Sequence, residues 1–225
     1  MNRGKNQIGI LGGSFDPVHM GHIGLAQETH ERFSLDQILF LPVFQSPHKP
    51  YIPLASSTHR MAMLRLALKG NTHFSISDTE LRREEVSYTI DTINRFRLKY
   101  SSSELYLIMG YDNLLDLDLW KDSREIMKNC HILVASRPGL KAFYSTGKIF
   151  GLFNGDSPYR LGKIKNKTQE FIHRETGKKL VVYDISPRDI SSSVVRERLV
   201  LGKSVDNLLS PEVETYIIEH QIYKI

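Results

Sequence analysis

Gly12-Gly13-Ser14-Phe15-Asp16-Pro17-Val18-His19-Met20-Gly21-His22 follows the apolar run Ile8-Gly9-Ile10-Leu11 and precedes Ile23, Ala26, His30 and Phe33. The run before it is short and apolar, as a buried strand is, and the residues after it recur every three or four positions, as on one helix face. A strand, a glycine turn and a helix in that order make an anion cradle. Glycine lets the backbone approach a phosphate closely, and the helix start offers unpaired N–H groups and the positive end of a dipole. His19 and His22 stand three apart at the mouth of the turn, which suits a polyphosphate. The stretch matches neither G-x-G-x-x-G nor G-x-x-x-x-G-K-[ST], and no third or fourth ligand at metal spacing accompanies the two histidines, so no metal site is expected.

Working outward, branched apolar runs recur at 37–43, 73–77, 104–109, 131–135 and 180–185, with 7–11 as the first. Helical patterns fall between or after them at 21–33, 57–69, 88–100, 111–128 and 191–201. Ser210-Pro211-Glu212 then opens a last helix with a serine cap and proline at the first helical position. Such alternation predicts an α/β, Rossmann-like, doubly wound and mostly parallel sheet with helices on both faces. We expect one domain over 1–225, with a basic loop or insertion at about 140–178 and a C-terminal helical part at about 191–225. Residues 141–179 hold nine Lys/Arg against three acids, a net +6 that leaves −1 for the rest of a chain whose total is +5. The basic character therefore belongs to one solvated segment, and neither nucleic acid nor a membrane surface is the expected partner. With 40% hydrophobic and 24% charged residues the composition is globular, and no run nears the ~18 apolar residues of a membrane span. The single Cys130 has no intramolecular partner, and a reducing cytoplasm is the expected setting.

In open α/β sheets, ligands bind outside the carboxyl ends of strands. The polar loops expected there are Gly12–His22, Gln45–Pro50, Gly110–Asn113, Ser136–Gly139 and Ile190–Arg196. In the last of these, Ser191-Ser192-Ser193 opens a helix and Arg196 follows one turn on, so hydroxyls and guanidinium share a face. That group suits a triphosphate, although a serine cap beside a surface arginine is the plainer alternative. His48-Lys49 lies between two prolines that stiffen its turn. Ser87 reads as the cap of a helix burying Ile90, Ile93 and Phe96. Trp120, the only tryptophan, reads by itself as a core residue.

Taken together, these residues resemble the nucleotidylyltransferase superfamily with the (H/T)-x-G-H signature, here His19-Met20-Gly21-His22. Its second signature, I-S-S-T-x-x-R, is matched by Ile190–Arg196 with Ser193 in place of threonine. Within the superfamily the chain is similar to the bacterial nicotinate-nucleotide adenylyltransferases, whose G-G-S-F-D-P-x-H-x-G-H, P-H-K, S-Y-T-x-D-T, G-x-D, W and S-R-P-G elements occur here in order. Tyr111 departs from that family's small residue. The resemblance implies adenylyl transfer from ATP to nicotinate mononucleotide, with Mg²⁺ accompanying ATP. It implies an ATP site of Gly12, Gly13, Ser14, Phe15, His19, His22, Asp112, Ser191, Ser192 and Arg196, with His19, His22 and Arg196 catalytic. It further implies that Asp16, His48, Lys49, Tyr88, Thr89, Trp120 and Arg137 bind the mononucleotide. Its partners are then small-molecule substrates, and the reading allows a homo-oligomer. Two other readings stay open: a pantetheine-phosphate adenylyltransferase or cytidylyltransferase of the same superfamily, and a non-catalytic nucleotide-binding regulator.

Overall fold

The computed structural model describes residues 5–47, 55–136, 143–165, 168–186 and 190–223. Its contacts divide the chain into two compact units. The first is Met1–Leu11, Ser34–Asp36 and Tyr88–Pro187, and the second is Gly12–Phe33, Gln37–Ser87 and Arg188–Ile225.

The strands of the first unit are β1 (Asn6–Gly13, of which 6–11 belong here), β4 (Ser103–Gly110), β5 (His131–Ser136), β6 (Tyr159–Lys165), β7 (Thr168–His173) and β8 (Lys179–Asp184). They run in the order β1-β4-β5-β8-β7-β6. The first four are parallel neighbours, and β7 and β6 complete the edge antiparallel. Ile132, Leu133, Val134, Leu180 and Val182 are fully buried, so the runs that read as strands form the centre of this core. Parallel register brings the carboxyl ends level, with Gly110 opposite Ala135 and Ser136 opposite Asp184. The helices here are α3 (Thr89–Lys99), α4 (Tyr111–Leu115), α5 (Ser123–Asn129) and α6 (Phe143–Gly151). The second unit contains the parallel pair β2 (Gln37–Pro42) and β3 (Phe74–Ile76), with α1 (Met20–Phe33), α2 (Ser57–Ala67), α7 (Ser192–Val200) and α8 (Pro211–Glu219). With eight strands among the described residues, mostly parallel and interleaved with helices, the fold is the expected α/β Rossmann-like one.

Three local expectations need correction. The pattern over 111–128 is not one helix: α4 ends at Leu115, a 3₁₀ turn covers Leu117–Leu119, and α5 begins only after Asp122, whose φ of 49° is left-handed. Apolar spacing survived the breaks because each short turn still buries its own residue, Leu114, Leu117 and Ile126. Of the basic loop or insertion expected over about 140–178, a plain solvated loop does not hold, since the described residues there form α6 and the β6–β7 hairpin. Gln169, Phe171 and His173 alternate inward along β7, a period of two obscured in sequence by the polar types at two of those positions. Ser87 does not cap α3: its hydroxyl accepts from the Phe44 N–H, and Tyr88 occupies the cap position without a side-chain hydrogen bond.

Candidate active site

All members of the glycine loop, both signature histidines and the serine-arginine helix lie in the second unit. Phe15 is 0% exposed and holds a φ of 48°, an uncommon backbone for a bulky residue. Its ring fills the space beside Gly13, where an added Cβ would come within 3.2 Å of the ring. That ring also packs edge-on to His22 at 5.0 Å and against Phe40 at 5.6 Å. The strained turn thus supports one of the two imidazoles.

His19 and His22 stack with ring centroids 3.7 Å apart. Gly21 makes this possible, since a Cβ there would lie 3.0 Å from Cε1 and Nδ1 of His19. The His19 backbone N–H donates to Nδ1 of His22 at 3.2 Å. In the neutral ring the proton therefore sits on Nε2, leaving that N–H as the free donor. Burial lowers the His19 pKa to about 4. Burial, with His19 adding to it, holds His22 well below its ordinary value. Near pH 7 both rings are neutral, so they stack without repulsion and offer N–H dipoles to an anion.

Arg60 of α2 is buried, with Nη1 donating to the carbonyls of Ser14 (2.9 Å) and Val43 (2.7 Å) and Nε to that of Ala55 (3.1 Å). Burial lowers its pKa, opposed by the neighbouring Asp16 carboxylate. By drawing the Ser14 carbonyl toward itself, Arg60 turns the N–H of the same trans peptide, that of Phe15, the opposite way. No acceptor occupies the Phe15 N–H among the described residues. A free, oriented peptide donor in a glycine turn is what an anion cradle needs.

The start of α7 meets this loop. Ser191 caps the helix by accepting from the Val194 N–H, and Ser192 donates its hydroxyl to the Pro17 carbonyl at 2.9 Å. Arg196 donates through Nη1 to the Asp16 carbonyl at 2.6 Å and through Nη2 to Ser193 Oγ at 3.3 Å. Asp16 itself is 0% exposed, and its Oδ1 accepts from the Ala55 N–H and the Tyr223 hydroxyl. The donors left at the start of α7 among the described residues are thus the Ser192 and Ser193 N–H groups and the remaining edge of Arg196.

The other expected residues are described within the first unit or not at all. Tyr88 and Thr89 begin α3, whose uncapped first turn leaves N–H groups without side-chain partners. Trp120 ends the 3₁₀ turn and is half-buried rather than a core residue. Its neighbour Lys121 lies with Nζ 4.6 Å from the centre of the Tyr88 ring and 3.5 Å from Asp91. Tyr88 and the segment carrying Trp120 are therefore adjacent. Asp112 is exposed on α4. His48, Lys49 and Arg137 lie outside the described residues.

Sequence reasoning missed Arg60, Tyr223 and Lys121. Arg60 had a legible signal, because it stands with Met63 and Leu64 on the buried stripe of α2, where a cation must be pairing with something. Tyr223 had none, since its partner is 207 positions away. Lys121 followed Trp120 directly, but only folding sets it beside Tyr88.

Residues 10–198 match the family model described as cytidylyltransferase-like. A protein of Pelobacter propionicus named probable nicotinate-nucleotide adenylyltransferase is 36% identical over 217 residues, covering 96% of this chain and 98% of that one. A protein of the same name from Rhodopirellula baltica is 36% identical over 219 residues, 97% of this chain and 94% of its own. The structure of Plasmodium falciparum nicotinic acid mononucleotide adenylyltransferase complexed with NaAD superposes with a TM-score of 0.70 at 18% identity, covering 97% of each chain. That likeness speaks for the fold, while the full-length sequence identities carry the family. The chain belongs to the cytidylyltransferase-like family and, within it, to the nicotinate-nucleotide adenylyltransferases.

Proposed function

We infer that the chain transfers the adenylyl group of ATP to nicotinate mononucleotide, forming deamido-NAD and pyrophosphate, a step of NAD biosynthesis. The observation that carries this reading is the neutral, stacked His19–His22 pair beside a glycine loop whose Phe15 N–H has no acceptor among the described residues, joined to Arg196 at the start of α7. A phosphate oxygen of the mononucleotide attacks the α-phosphorus of ATP, and the bond from that phosphorus to the bridging oxygen breaks, releasing pyrophosphate. The nucleophile is already an anion, so no general base is required. Catalysis reduces to aligning two anions and stabilising charge as it builds on the α-phosphate and the leaving group.

In this reading the Nε2–H of His22 and the imidazole of His19 donate to the α- and β-phosphates, while Arg196 and the first turn of α7 hold the leaving pyrophosphate. ATP enters as its magnesium complex. In that complex phosphate oxygens and water would hold the ion. The uncapped start of α3 at Tyr88 and Thr89 supplies oriented N–H dipoles for the pyridine carboxylate, with Trp120 as the stacking platform. Lys121 adds a cation beside Tyr88, so preference for the acid rests on more than backbone dipoles. Asp112 is read as a nucleotide contact, and His48, Lys49 and Arg137 as contacts to the mononucleotide phosphate. A reducing cytoplasmic setting is supported by Cys130, the single cysteine of the sequence, which is a buried free thiol with no second cysteine to pair with.

The test is pyrophosphate release with ATP against nicotinate mononucleotide, its amide, phosphopantetheine and choline phosphate. Strong preference for the acid mononucleotide is expected. Equal use of the amide sinks the specificity, use of another acceptor instead moves the chain elsewhere in the superfamily, and release with none leaves a nucleotide-binding regulator.

A further inference from the structure

Tyr223, which follows α8, donates its hydroxyl to Asp16 Oδ1 at 2.6 Å, and the Ala55 N–H donates to the same oxygen at 3.0 Å. Two donors on one oxygen fix the rotation of a carboxylate that has no contact with solvent. The other oxygen, Oδ2, has no hydrogen bond among the described residues and lies 3.6 Å from Nη1 of Arg196. That same Nη1 donates to the Asp16 backbone carbonyl. Asp16 therefore meets Arg196 twice, through its main chain and through an oxygen whose direction the other two donors decide.

We propose that Tyr223 is a positioning residue for adenylyl transfer: by clamping the Asp16 carboxylate it holds the Arg196 guanidinium oriented toward the leaving pyrophosphate. This rests on reading Arg196 as a phosphate ligand. The alternative partner for a loosened carboxylate is at hand, since Arg60 also acts on Asp16 electrostatically. Without the Tyr223 hydroxyl, Oδ1 keeps a single donor and the carboxylate can turn between the two guanidiniums. Burial and the Asp16 hydrogen bond both raise the Tyr223 pKa, so the phenol remains a donor throughout the working pH range.

The test is a double-mutant cycle on the full chain, with Tyr223→Phe and Arg196→Ala alone and combined. Tyr223→Phe should lower kcat by about tenfold and leave the KM for nicotinate mononucleotide unchanged. Over Arg196→Ala, Tyr223→Phe should cost no further kcat/KM, because the group it positions is gone. Wild-type kinetics in the single variant overturn the proposal, as does a full additive loss in the double variant, which marks a general loosening of the fold. Asp16→Asn keeps an acceptor for both donors and removes the charge facing Arg196. Because the Asp16 charge also balances buried Arg60, only the part of this variant's loss that vanishes over Arg196→Ala supports the proposal, and a loss of equal size with and without Arg196 overturns it even if Tyr223→Phe proves insoluble. A wild type without mononucleotide-dependent pyrophosphate release overturns the functional reading, and the proposal falls with it. An active wild type beside an indifferent Tyr223→Phe overturns the proposal alone.

Discussion

Gly21 offers a separation of stability from activity at a single residue. Its backbone is not left-handed and it sits in the first turn of α1, so alanine there is sterically acceptable to the main chain and gains up to about 1 kcal/mol of helix propensity. The new methyl, however, would stand 3.0 Å from the His19 ring and must displace it. Gly21→Ala should therefore keep or raise Tm while kcat/KM falls about tenfold, since small misplacements of catalytic groups are costly. Calorimetry and pyrophosphate release on one preparation check this, and a lower Tm with full activity would contradict it. His22→Ala removes a donor whose contact strengthens as charge builds, so kcat should fall on the order of a hundredfold with little change in ATP affinity. An unchanged kcat would exclude His22 from the mechanism. Arg196→Lys keeps the charge but loses the planar fork that serves Asp16 and Ser193 together and that is proposed to reach phosphate as well. A marked loss of kcat/KM for ATP is expected. Full activity in the lysine variant with none in Arg196→Ala would reduce the role to simple charge.

At the scale of elements, the segment joining β4 to α5 departs from its helical sequence pattern around the residues proposed to meet the pyridine ring. Breaking 111–128 into two short helices and a 3₁₀ turn leaves Trp120 half-buried at a chain bend and Lys121 against Tyr88. Trp120→Ala should raise the KM of the acid and amide mononucleotides alike, because stacking does not distinguish a carboxylate from a carboxamide. A changed acid-to-amide ratio would instead assign Trp120 to specificity. The 3₁₀ turn Leu81–Arg83 ends at Glu84 with φ 54° and ψ 31°, a left-handed position held by a residue with a Cβ. Glu84→Gly should relieve about 1 kcal/mol of that strain, less what glycine adds to the freedom of the unfolded chain. A small rise in the urea midpoint checks it, and a fall would show that the Glu84 side chain makes a compensating contact.

Across the whole molecule, buried histidines set the response to acid. His19 and His131 are lowered to about 4 and His22 is held well below its ordinary value, in each case chiefly by burial. An unfolded chain takes up these protons near pH 6.5, whereas the folded protein takes up those of His19 and His131 only near pH 4. Stability must therefore fall as pH drops from 6.5 to 4, and these groups leave it unchanged above that window. His19 alone is worth about 3 kcal/mol across it. Urea titrations at pH 7, 6, 5 and 4.5 should show a progressive fall in midpoint, and a flat profile would mean that the imidazoles are solvated.

The strands at 7–11, 37–43, 104–109, 131–135 and 180–185 were legible because strands buried on both faces are written as continuous apolar runs, which need no partner to be recognised. The glycine turn, the paired histidines and the serine-arginine helix were legible because each is local, written within a few residues by a glycine turn, a short fixed spacing or a serine cap. What remained hidden depends on distant partners. The β6–β7 hairpin carries buried Gln169 and His173 where a strand signal calls for apolar side chains. Ser87 reads as a cap until Phe44, 43 positions away, claims its hydroxyl. Arg60, Asp16 and Tyr223 are ordinary polar residues in one dimension. Folding sets them among each other's donors and acceptors, because a buried charge persists only where the tertiary structure supplies its partners.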